Sequence, residues 1–180
     1  MIVPEGDSWE VLLPCHRTAV AEFVAAVAAV PRSRWDSPTA AGQWTPGQVA
    51  DHVRLTYEVL VRELQGQQGL RLRSPFWLRP WLRLRYLRPI LSDGRFPPAA
   101  RAPSEVRPGA GPFAQSGLQE AIRVAATSFE VELRVRWSGR IRLTHHVFGR
   151  LSPAQALRLA IAHTRHHCAQ LLAAVGSPVP

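Results

Sequence analysis

The sequence predicts an all-α fold, a four-helix bundle in up-down-down-up order with one long crossover between its second and third helices. Three observations predict it. Four stretches carry apolar residues at helical spacing. Two of them open with the same capping signature. Three histidines fall on the inward stripes of two of these helices. At 180 residues, 46% of them hydrophobic, the chain suits a single domain over 1–180 with a substantial core, and a disordered chain is excluded.

The first helix is expected over residues 15–30, with Val20, Phe23, Val24, Val27 and Val30 on one stripe and Pro31 as its stop. The second opens at Thr45-Pro46-Gly47-Gln48. There the threonine hydroxyl caps the helix, proline takes the first helical position, where no N–H is needed, and glutamine reaches back to the cap. This helix runs to about residue 65 with Val49, Val53, Thr56 and Leu60 inside. The third extends from about 116 to 137, its stripe marked by Leu118, Ile122, Ala125, Phe129 and Leu133, and Ser138-Gly139 stops it. The fourth repeats the start signal as Ser152-Pro153-Ala154-Gln155 and ends at Gly176, with Ala156, Ala160, His163, His167, Leu171 and Ala174 facing inward.

Residues 66–112 separate helices two and three and hold eight of the sixteen prolines. Adjacent antiparallel helices need connections of only ~2–8 residues. A connection this long predicts a crossover, so that helices two and three run parallel and helices two and four antiparallel.

The charge is one-sided: 22 basic against 13 acidic residues give +9, and every basic residue is arginine. Lysine and asparagine, both with A/T-rich codons, are absent, so a GC-rich coding sequence accounts for the bias. The excess can attract nucleic acid, anionic lipid or an acidic small molecule, and composition does not choose among them. The longest apolar run, 23–30, is too short to cross a membrane, so no transmembrane segment is expected. The first ten residues carry acids where a secretory signal needs basic residues. Two cysteines, Cys15 and Cys168, do not make a disulfide scaffold. A cytoplasmic protein is the expectation.

Seven histidines occur, and His163 and His167 stand four residues apart, one turn apart on one helix face. That face is apolar and lined by small alanines, a place histidine avoids unless its nitrogens are satisfied. His52 lies on the inner stripe of helix two. At ~1.5 Å per residue it sits about 10 Å from the start of its helix, and the His163/His167 midpoint sits about 15 Å from the end of helix four. In an antiparallel pair these depths nearly match, so a three-histidine metal site is the natural reading. Three imidazoles leave a coordination position open, the mark of a catalytic rather than a structural ion. The zinc-protease motif requires glutamate after the first histidine; Thr164 stands there, which argues against peptide hydrolysis.

Three stretches, GQWTPGQVADH at 42–52, FGRLS at 148–152, and His163 to Gln170, stand in this order along the chain. In these the chain resembles the DinB-like (YfiT-like) superfamily of metal-binding four-helix bundles. The resemblance implies His52, His163 and His167 as ligands of a divalent ion, zinc or nickel above all, and some such proteins are S-transferases using low-molecular-weight thiols. His166 and Gln170 read as residues that support the ligands. His145 and His146 are expected on the surface, and Cys168 is expected to point away from the metal.

Residues 70–88 interleave six arginines with Phe76, Trp77, Trp81 and Tyr86. The pattern suits stacking on nucleic acid, contact with an anionic membrane, or a cover whose Trp and Leu side chains pack on the bundle while the arginines stay wet. The cover is the expectation. The functional expectation is a metal-dependent transferase with a small-molecule substrate and no sequence-specific nucleic acid; a homodimer is compatible with it. The alternative is a non-catalytic, metal-stabilised module whose basic crossover touches nucleic acid or membrane. Metal-assisted hydrolysis lacks a base, since neither Asp51 nor Glu58 shares the ligand face.

Overall fold

The computed structural model describes residues 7–38, 40, 42–97, 101–138 and 140–176, and these are predominantly helical. Four long helices, α1 (Trp9–Ala29), α3 (Pro46–Leu64), α6 (Gln115–Val135) and α7 (Pro153–Gly176), surround one core. A short α2 (Arg32–Trp35) follows α1; α4 (Arg79–Leu82) and α5 (Arg88–Asp93) lie in the crossover.

Helix α1 starts six residues earlier than the sequence reading placed it. Ser8 accepts the Val11 N–H, and Pro14, inside the helix, removes only one intrahelical donor. The longer helix meets the length and composition of a membrane span, a departure from the expectation drawn from residues 23–30. In the fold its Leu12, Phe23 and Val27 are fully buried, and α1 packs against α6 and α7.

Both predicted capping boxes are present. Thr45 accepts the Gln48 N–H at 3.1 Å while Gln48 accepts the Thr45 N–H at 3.0 Å. Ser152 and Gln155 repeat the exchange at 3.2 and 3.1 Å. Gly47, in the first turn of α3, lets two aromatics close in: a Cβ there would lie 3.1 Å from Phe113 and 3.3 Å from Trp35.

Contacts between helix ends set how the elements meet. Asp7, before α1, pairs with Arg158 in the second turn of α7, and Arg34, just past α1, donates to the Ala174 carbonyl near the end of α7. Trp9 of α1 stacks edge-on with Trp137, just past α6, while Gln115, opening α6, donates to the Val27 and Val30 carbonyls. Gln65, after α3, reaches Glu132 near the end of α6. Glu63, in the last turn of α3, accepts the Thr144 N–H ahead of α7, whereas His52 in its second turn meets His163.

The segment before α7 is not a plain loop. Leu143–His145 (β1) and Gly149–Leu151 (β2) form an antiparallel hairpin with Leu143 opposite Leu151, both buried. Strands of three residues are too short to leave a periodicity in sequence.

The crossover is more ordered than its prolines suggested. A 3₁₀ turn (Phe76–Leu78), α4, a π-type turn (Arg83–Leu87) and α5 follow one another without a break. Pro80 and Pro89 are the second residues of α4 and α5, and each removes one backbone donor from the run. The run turns Leu87 and Ile90 into the core, with Leu82, Tyr86 and Leu91 packed beside them. The expected cover is therefore only partly formed: Phe76, Trp77, Trp81 and Leu84 are exposed.

Candidate metal centre

The capping box that starts α3 fixes the rotation of His52, and the one that starts α7 fixes His163 and His167. The structure brings these three together. His163 Nε2 lies 3.1 Å from His52 Nε2 and 3.1 Å from His167 Nε2, and the three ligand atoms fall within 4.8 Å of one another. Bonds of about 2.0–2.1 Å to a tetrahedral ion place nitrogens roughly 3.3 Å apart, close to this spacing.

The remaining ring nitrogens decide the tautomers. His52 Nδ1 donates to the Val106 carbonyl at 2.7 Å, and His167 Nδ1 donates to Gln170 Oε1 at 2.7 Å. Each neutral ring therefore presents a bare Nε2 lone pair to the meeting point. The single proton His163 Nε2 can carry satisfies only one of them. An unpaired buried lone pair is costly, and a cation at that point removes the conflict. The residues fit a divalent ion.

Electrostatics keeps the imidazoles neutral, as ligation demands. Burial pushes His52 below its ordinary value, with the Val106 carbonyl and Asp51 opposing. Burial drives His163 well down, reinforced by His167 and His52, and pushes His167 down to about 3.

The site's walls are aromatic. Trp44 lies against His52 with ring centroids 4.9 Å apart and planes tilted by 49°, and Phe96 approaches His166 at 4.7 Å and His163 at 6.1 Å. His52 and His167 are buried, while His163 keeps partial exposure. A family model of the DinB superfamily matches residues 16–171. The chain belongs to the DinB superfamily. No curated protein and no solved structure matches it. The matched span holds the whole histidine cluster of this DinB-superfamily protein.

His166 lies off the meeting point: its Nε2 accepts from Gln170 Nε2 at 3.1 Å. Gln170 thus bridges His166 and His167. Cys168 is buried, its thiol pushed up by burial and by Glu22, and it is no ready nucleophile. Asp51 is occupied by Arg54 and by the Gly109 N–H, and Glu58 by Arg54, so neither supplies a free base.

His145 departs from the surface role expected of it. It is half-buried in β1, stacks on Phe148 at 4.5 Å, and accepts the N–H groups of Val147 and Phe148 at Nδ1. His146 is half-buried as well. The sequence reading also missed Val106 and Phe96, which arrive from the crossover with no motif to announce them. It missed His16, whose place one turn before Val20 on the apolar stripe of α1 was a usable signal.

Proposed function

We propose that this protein is a divalent-metal-dependent transferase acting with a low-molecular-weight thiol, on an up-down-down-up four-helix bundle. The observation that carries the reading is the convergence of three Nε2 atoms at one point, with neither Asp51 nor Glu58 free to act as base. The end-to-end helix contacts support the bundle topology. Zinc or nickel suits the imidazole set.

A bound divalent ion would supply a Lewis acid that lowers the pKa of a thiol and presents it as thiolate to an electrophile. The chain's own residues hold the site ready. Val106 and Gln170 fix the ligand tautomers, and Trp44 and Phe96 exclude water from the ring faces. A cytoplasmic setting, where small thiols stay reduced, suits the reaction.

The test uses cobalt(II)-loaded protein with cysteine and glutathione as probes. A thiolate-to-cobalt charge-transfer band is expected, absent with chelator and in His163→Ala. Product formation with activated electrophiles should follow the same dependence. Thiol binding indifferent to chelation sinks the mechanism. A loaded protein that gives neither band nor product leaves the non-catalytic module as the better reading.

A further inference from the structure

We propose that the helical run over 76–93 is a docking face for an anionic lipid bilayer. Trp77, Trp81, Leu84 and Arg88 all lie on this run, within residues 77–88. All four are exposed, and Phe76 beside them is 77% exposed, the highest among the large apolar side chains. The opposite side already turns Leu87 and Ile90 into the core. Phe76, Trp77, Trp81 and Leu84 are thus apolar surface that the fold does not use, gathered on a few turns of one run rather than scattered.

Charge complementarity selects the occupant. Arg79 is spent on the Ser74 carbonyl, Arg83 on the Phe148 and Arg150 carbonyls, and Arg73 on Ser104 and Glu105. Arg85 and Arg88 are exposed and form no ion pair among the described residues; Arg85 lies over the Tyr86 ring at 5.1 Å. A groove along the run is lined by Arg83, Arg88, Leu84, Leu87 and Leu91, with Asp7 beside them held by Arg158. Arg88 and the leucines set a cation beside apolar side chains there, the chemistry of a phosphate headgroup and its acyl chain. Tryptophans belong at the headgroup level of a bilayer, and arginines there gain from its negative surface potential.

Nucleic acid fits less well. Leu84 has no π-face on which a base could stack, and the exposed, unpaired Arg85 and Arg88 by themselves neutralise few phosphates. A second copy fits less well because an isologous contact on this patch gathers Arg85 and Arg88 of both copies into one interface, like charges with no acid among them.

The experiment is flotation of the metal-loaded full chain with phosphatidylcholine vesicles, with and without phosphatidylglycerol. Binding to the anionic vesicles is expected, weakened by salt, with quenching of tryptophan emission by brominated lipid. Trp77→Ser with Trp81→Ser, and Arg85→Glu with Arg88→Glu, should each weaken it about tenfold or more. All four side chains are exposed, so metal content and helical circular dichroism should stay unchanged. No flotation, flotation unaffected by either double variant, duplex DNA bound more tightly than vesicles, or self-association abolished by the same variants would each overturn the proposal. The metal-site reading stands or falls separately, on its cobalt spectrum.

Discussion

The side-chain amide of Gln170 joins two histidines of α7: its Oε1 accepts from His167 Nδ1 at 2.7 Å, and its Nε2 donates to His166 Nε2 at 3.1 Å. The first bond holds the His167 proton on Nδ1 and frees Nε2 for the metal. The second holds His166 away from it.

Gln170→Leu should therefore weaken metal binding by roughly 10–100-fold, the usual effect of losing a ligand's hydrogen-bonding partner. Gln170→Glu keeps an acceptor for His167 Nδ1 and should retain most of the affinity. Competition titration against a metal-sensitive dye reads both. Equal loss in the two variants would mean that Gln170 acts by packing alone.

His52→Ala, His163→Ala and His167→Ala should each sharply reduce the metal content of purified, folded protein, and His166→Ala should do so much less. The motivation is the shared 3.1 Å convergence of three Nε2 atoms. Full occupancy in His52→Ala would show that α3 contributes no ligand.

Much of this site was legible because helical periodicity is. The four-residue step from His163 to His167 and the two capping boxes carry rotation and depth directly in the chain. What was not legible comes from elements without a period. Val106 reaches His52 through its backbone carbonyl, which any residue type offers, so no sequence signal exists for it. Phe96 arrives after a π-type turn whose register no helical count follows. Trp77 and Trp81 looked like a cover because composition tells that a stretch is amphipathic, not which side faces the core.

Acid should destabilise the metal-free protein before its carboxylates titrate. Burial, together with the neighbouring His146, pushes His145 down to about 3, and burial pushes His167 to about 3. In the unfolded chain both titrate near 6.5. The unfolded state then binds more protons below that value, so stability falls as pH drops from about 6.5 toward 3. Protonating His145 would also cost the acceptor of two backbone N–H groups. Denaturant midpoints of chelated protein should drop between pH 7 and pH 5, with a shallower slope in His145→Gln. A midpoint flat across that interval contradicts the buried neutral imidazoles.

The last prediction concerns a polar chain that crosses the core beside the metal ligands. Arg17 and His16 of α1 both donate to Glu130 of α6, at 3.0 and 2.9 Å. Because that carboxylate only accepts, a His16 proton sits on Nδ1, and Nε2 lies 2.9 Å from the Tyr57 hydroxyl. Tyr57 in turn lies 2.8 Å from Thr164 Oγ1, next in sequence to His163. His16 and Tyr57 are buried, so each broken link strands a polar atom. Tyr57→Phe should cost about 1–3 kcal/mol by leaving His16 and Thr164 unpaired. Burial alone would raise the Glu130 carboxyl, but the bonds from His16 and Arg17 outweigh it and hold it below its ordinary value. Its contribution is therefore complete above the unfolded carboxyl's value, near 4.3, and is lost as pH falls below it. Equilibrium unfolding at pH 7 and pH 4 should show the Glu130→Gln variant less stable at the higher pH, with the gap narrowing at the lower one. A gap that stays constant would mean that shape, not charge, is what Glu130 supplies.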